Sequence, residues 1–162
     1  MSNASDDGRE AGAASAAEIG PGVRAKAYPA LDEVTREGIV AFFAADAESF
    51  GRTLGMRVVD VRRGYARLEL DVRPGLKQPA GVLHGGASFG LADTAVAIAM
   101  RPLYGNAAVL VTIEMKINYL EPIVGGAVVA EAYVVRSSRR SAYAEVDLWA
   151  HGKRAGRATT TY

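Results

Sequence analysis

Residues 78–100 read Gln-Pro-Ala-Gly-Val-Leu-His-Gly-Gly-Ala-Ser-Phe-Gly-Leu-Ala-Asp-Thr-Ala-Val-Ala-Ile-Ala-Met. From His84-Gly85-Gly86 onward the stretch reads as one helix, apolar nearly all round, and such a helix is expected to be buried. A single carboxylate interrupts it. Asp93 has Phe89 and Gly90 one turn behind and Val96 and Ala97 one turn ahead, so no cation lies within helical reach. Aspartate is rarely buried without a partner, because desolvating the ionised form is costly. A residue that breaks the local rule in this way is a candidate functional site.

The flanks of this helix decide the fold class. Upstream, residues 56–73 alternate, with Ala66, Leu68, Leu70 and Val72 against Arg67, Glu69 and Asp71; Arg63-Gly64 fits a turn between two strands. Downstream, residues 109–119 put Val111, Ile113, Met115, Ile117 and Tyr119 on one face and Thr112, Glu114, Lys116 and Asn118 on the other. Strand-like stretches follow at 128–136, 142–150 and 155–162, the last two joined at His151-Gly152-Lys153, which leaves His151 an exposed loop residue. The central helix is expected to run to about Met100, before Pro102. Asp32 is placed to cap an earlier helix carrying Val34, Ile39, Phe42 and Phe43 and ending near Phe50-Gly51. One long buried helix with an antiparallel sheet formed mostly after it makes an α+β domain.

Composition narrows the function classes. At 162 residues the chain reads as one domain with a real core. Nineteen basic against eighteen acidic residues create no field that draws it to nucleic acid or anionic membrane. With no cysteine, disulfides, thiolate nucleophiles and thiolate metal sites are excluded. The two histidines, His84 and His151, are poor material for a metal site, and nothing in the sequence calls for a cofactor. No apolar run is long enough for a membrane span and no secretory signal is visible, so a cytoplasmic protein is expected. Residues 1–28, rich in Ala, Ser, Gly and Asp, read as a flexible tail ahead of a domain at 29–162.

The series Gln78, His84-Gly85-Gly86, Asp93, continued through Thr112 to Asn118-Tyr119-Leu120-Glu121-Pro122, resembles the hotdog-fold acyl-CoA thioesterases. The branch is the one typified by the phenylacetate-pathway (PaaI-like) thioesterase. The resemblance covers roughly residues 35–162. It implies five or six antiparallel strands wrapped around the central helix. It also implies a homodimer with the active site shared across its interface, usually doubled into a tetramer. Many members carry Asn where this chain has Gln78. Residues 78–84 are also similar to proofreading and menaquinone-pathway thioesterases, which usually carry Glu in place of Asp93. The substrate is therefore carried over from neither group.

Thioester hydrolysis needs a carboxylate or an activated water at the carbonyl carbon, and a donor for the oxygen that becomes negative. A helix N-terminus offers free N–H groups, and glycine lets a substrate approach them. Gly85 is the candidate oxyanion donor, with Gly86 beside it at the substrate. Asp93 is the candidate nucleophile or general base, the residues leaving both open. Gln78 donates its amide to the carbonyl or positions the water. His84 holds the turn or contacts the thioester. Thr112, by resemblance, hydrogen-bonds Asp93 or the water. Phe89, Val96 and Met100 share the face of Asp93 and are expected to line the acyl pocket, suited to an aryl or medium-chain group. Arg136, Ser138, Arg139 and Arg140 sit in a turn between strands, where guanidinium groups and a hydroxyl suit the phosphates of coenzyme A. A non-catalytic acyl-CoA sensor and an acyl-thioester hydratase of the same fold are the alternatives.

Overall fold

A computed structural model describes residues 20–162. Asp32 accepts the Thr35 N–H at 2.8 Å and caps α1 (Glu33–Ala45). The helix expected to continue to Phe50-Gly51 stops at Ala45. Asp46 accepts the Glu48 N–H at 3.0 Å and its carbonyl takes the Ser49 hydroxyl at 2.9 Å, local bonds that compete with the helical ladder. The chain re-enters a helix as α2 (Phe50–Leu54), and Gly55, at φ 80°, ends it. The hairpin of β1 (Arg57–Arg62) and β2 (Tyr65–Asp71) turns at Arg63-Gly64, with Gly64 at φ 86°.

The central helix is α3 (Gly85–Tyr104). Instead of stopping near Met100, as the sequence predicts, it passes through Pro102. In the last turn a proline forfeits a single backbone bond, and the Tyr104 hydroxyl anchors that turn on the Ser138 and Ser141 carbonyls. Four strands follow: β3 (Glu114–Tyr119), β4 (Ala127–Ser137), β5 (Ala142–Ala150) and β6 (Lys153–Thr161). They join the hairpin in a six-stranded antiparallel sheet of order β1-β2-β4-β5-β6-β3. The strand expected from residue 109 begins only at Glu114, which pairs with Thr161 at the far end of β6. Residues 109–112 thus have no strand beside them among the described residues. Val109 and Val111 are 89% and 66% exposed.

Small residues on both layers bring helix and sheet close. Ala92, Ala95 and Ala99 of α3 face Ala66, Ala130, Ala132 and Ala144 of the sheet, all fully buried or nearly so. Leu68, Leu70, Leu91, Val96, Val146 and Leu148 fill the space between, each burial worth roughly 1.5–3 kcal/mol. This is the α+β hotdog arrangement, and the described strands number six. No helix among the described residues is long and apolar enough to cross a membrane.

The tail expected over residues 1–28 lies, for residues 1–19, outside the described residues. Residues 20–28 pack on the sheet's outer face. Gly22 N–H donates to the fully buried Glu131 at 2.8 Å, alongside the Tyr65 and Tyr133 hydroxyls at 2.7 and 3.0 Å. Arg24 lies over the Tyr133 ring and pairs with Glu145 at 3.1 Å and Asp147 at 3.5 Å. Polarity in this stretch meets buried carboxylates rather than solvent, which composition alone does not reveal. Deleting residues 1–28 should therefore lower the melting temperature by several degrees, because a donor leaves a buried carboxylate. Deleting residues 1–19 should not. Thermal unfolding of the two truncations decides it, and equal melting temperatures would remove the role given to Gly22 and Arg24.

Candidate active site

The loop entering α3 is fixed before the helix starts. Gln78 N–H donates to the Val82 carbonyl and Gly81 N–H to the Gln78 carbonyl, both at 2.9 Å, with Gly81 at φ 80°. Leu83 N–H reaches the Ile123 carbonyl at 2.7 Å. The first turn of α3 then distributes its amides. Gly86 N–H goes to His84 Nδ1 at 2.9 Å, and the N–H groups of Ala87 and Ser88 go to the His84 carbonyl at 2.9 and 3.4 Å. Among the described residues the amide left over is that of Gly85, at the positive end of the helix. His84 is thus the helix cap, and its Nδ1 must be unprotonated to accept.

Tyr119 donates its hydroxyl to the Gly85 carbonyl at 2.9 Å, and a Cβ on Gly85 would stand 3.0 Å from that hydroxyl. Burial raises the Tyr119 pKa, keeping the phenol a donor. The exposed Gln78 lines, with Gly85, Ser88 and Tyr119, a cavity of about 400 Å³. Tyr119 belongs to the quoted sequence pattern, but only the fold gives it this place.

Asp93 is half-buried on α3. The carboxylate read as unpartnered does have donors, but they are hydroxyls. Thr112 Oγ1 donates to Oδ1 at 2.7 Å, and Tyr162 Oη lies 2.5 Å from the same oxygen and 2.9 Å from the Asp93 carbonyl. Among the described residues no cation pairs with it. Asp147 is the contrast. It is 1% exposed, and Arg154, Arg24 and Arg157 approach it at 3.0, 3.5 and 3.9 Å, the first as an ion pair without hydrogen-bond alignment. Burial, and then the neighbouring Asp93, push the Tyr162 phenol above its ordinary pKa. Sequence reading missed Tyr162, for it reads as one more strand residue.

Eight residues separate Gly85 from Asp93, about 12 Å along a helix. A carbonyl group that accepts from one and is attacked from the other needs both within about 3 Å. One copy of the chain does not bring them together. A second cavity, of about 430 Å³, is lined by Met100, Tyr104, Val109, Arg139, Arg140 and Tyr162; Asp93 is not in its lining, and the Tyr162 side chain links the two. No carboxylate pairs with Arg139 or Arg140 among the described residues.

The other expected site residues fall outside these walls. Val96 is fully buried in the core, because the helix turns it toward the sheet rather than along the Asp93 face. Phe89 is partly exposed and lines neither cavity. Arg136 stands on β4 opposite Tyr143, away from the turn. Ser138 spends its hydroxyl on closing the turn, accepting the Ser141 N–H at 3.2 Å. His151 is exposed at φ 52° in the β5–β6 turn.

Residues 80–156 match the family model described as the thioesterase superfamily. A protein of Saccharolobus solfataricus named "Putative esterase" is 30% identical over 96 residues, 59% of this chain and 63% of its own length, so the chain spans less than two thirds of that relative. A 1,4-dihydroxy-2-naphthoyl-CoA hydrolase of Listeria monocytogenes is 29% identical over 59% of this chain and 78% of its own. Among solved structures, a mutant of the phenylacetic acid degradation protein PaaI from Thermus thermophilus is 31% identical. That match has a TM-score of 0.63 over 69% of this chain and 95% of the other.

Proposed function

The chain belongs to the hotdog thioesterase superfamily, and from that premise we propose that it hydrolyses a small aryl- or medium-chain acyl-CoA to the free acid and CoA. The observation that supports this most directly is the surroundings of Asp93. A structural carboxylate of this fold, Asp147, is ringed by arginines, whereas Asp93, among the described residues, meets only hydroxyls and no cation. The named relatives supply the substrate class: one hydrolyses an aromatic acyl-CoA by its name, another belongs to phenylacetic acid degradation.

Two routes use the same groups. In one, the Asp93 carboxylate takes a proton from water as the water oxygen bonds to the thioester carbonyl carbon. In the other, a carboxylate oxygen forms that bond itself and gives an anhydride that water then cleaves. In both, the carbonyl oxygen gains negative charge against the Gly85 N–H, a donor role worth about 3–4 kcal/mol. Collapse breaks the C–S bond, and the thiolate takes its proton from Asp93 in the first route and from solvent in the second. Gln78, beside Gly85, holds the carbonyl or the water.

The span from Gly85 to Asp93 is met by a homodimer in which one copy supplies Gln78 and Gly85 and the other Asp93 and Thr112. Val109, Val111 and Ile113, exposed beside the edge strand β3, are the surface such a pairing would cover. Doubling to a tetramer remains part of the proposal. Arg139 and Arg140, on the wall of the cavity that Tyr162 links to Asp93, take the phosphates of CoA.

Benzoyl-, phenylacetyl- and hexanoyl-CoA, each mixed with the protein and a thiol reagent, test the reading: at least one should release free thiol. Binding without turnover would make the protein a sensor, and loss of the enoyl chromophore of crotonyl-CoA would make it a hydratase. On the substrate that turns over, Arg139→Ala with Arg140→Ala should raise KM about tenfold and leave kcat unchanged, since contacts to the nucleotide are equal in ground and transition states. N-acetylcysteamine thioesters lack the nucleotide and should be unaffected. An equal loss on them would remove the phosphate contact.

A further inference from the structure

Tyr162 stands at the junction of two parts of the proposed site. Its N–H donates to the Ala142 carbonyl and its carbonyl accepts the Ala142 N–H, both at 2.9 Å, which clamps it to the start of β5 just after the Arg139–Arg140 turn. Its side chain is buried, at 7% exposure, and lines the cavity that those arginines rim. Its hydroxyl ends on Asp93 Oδ1, the oxygen that Thr112 also reaches. No hydrogen bond comes to Oδ2 among the described residues.

We propose that Tyr162 is a positioning residue for the reacting carboxylate: with Thr112 it pins Oδ1 of Asp93 and presents Oδ2 to the water or the thioester. The proposal rests on Asp93 being the group that reacts. Two donors on one oxygen fix the rotation of the carboxylate, because turning it breaks both bonds at once. Hydrogen bonds to an ionised acceptor are also the stronger kind. The phenol suits this task, for burial, and then its hydrogen bond to Asp93, raise its pKa and favour the protonated, donating form. The same side chain is clamped beside the arginine turn, so it also sets how far the reacting oxygen lies from the anchored nucleotide. It touches neither water nor substrate in this role. It acts through Asp93.

Tyr162→Phe keeps the ring and removes the donor. On a CoA thioester the full chain carrying it should lose about 10- to 30-fold in kcat, with KM within about twofold and the melting temperature within a few degrees of wild type. The same change made on top of Asp93→Asn should cost less than about twofold more in single-turnover rate, since a residue acting through the carboxylate has nothing left to act on. An equal fractional loss in both backgrounds would overturn the proposal and leave Tyr162 a structural residue. So would a raised KM with kcat intact, which would make the ring a pocket wall. Full turnover in Asp93→Asn alone is a different failure: it would sink the assignment of Asp93 itself, and Tyr162 with it.

Discussion

Asp93→Asn is expected to lower kcat by at least about a hundredfold and to leave the melting temperature within a few degrees of wild type. The rate loss follows from either route, since both need the ionised carboxylate and general-base roles contribute about 10²–10⁴-fold. Stability should hold because the amide oxygen of Asn still accepts the Thr112 and Tyr162 hydroxyls that now meet Oδ1. A control sits in the same fold. Asp147→Asn removes the charge that three arginines surround, so it should lower the melting temperature by several degrees and leave turnover per folded molecule intact. If Asp93→Asn behaved as Asp147→Asn should, losing stability and keeping activity, the catalytic assignment would be wrong. Activity must therefore be normalised to folded protein.

Mixing two dead proteins should restore activity. Gly85→Ala places a methyl 3.0 Å from the Tyr119 hydroxyl and beside the one free amide of the helix start, and it should cost about a hundredfold in kcat, as losing an oxyanion donor does elsewhere. Asp93→Asn is dead for a different reason. In a symmetric dimer whose sites each draw Gly85 from one copy and Asp93 from the other, a mixed dimer has one doubly altered site and one intact site. Random exchange makes about half of the dimers mixed, so about a quarter of wild-type activity should return. A site built within one copy gives no recovery, because each copy would carry its own lesion. Co-expression under two affinity tags separates the outcomes, and the doubly tagged fraction, which holds only mixed dimers, should show about half of wild-type activity.

Much of the fold was legible because its signals are local. The period of two at Ala66, Leu68 and Leu70 needs only neighbouring residues to be read, and so do the apolar run after His84 and the turn at Arg63-Gly64. β5 has the bounds its alternation foretold, 142–150. Errors arose where a local rule met a tertiary partner. Pro102 did not end α3, because Tyr104 is tied to a turn that lies 34 residues away. Residues 109–112 alternate like a strand but have no neighbour to pair with among the described residues.

The sequence alone determined which residues are candidates for the chemistry: a carboxylate on an apolar helix and a glycine pair at its start are visible one residue at a time. Tertiary structure decided what surrounds them. Tyr162 reaches Asp93 across 69 residues, through a strand register that no nearby residue encodes. Gly85 owns the free amide only because His84 takes that of Gly86. The rise of the helix, about 1.5 Å for each of eight residues, sets donor and carboxylate too far apart for one copy to use both. Spacing along a chain specifies which groups exist, while the distances between them are fixed only when hydrophobic burial packs helix and sheet into one arrangement.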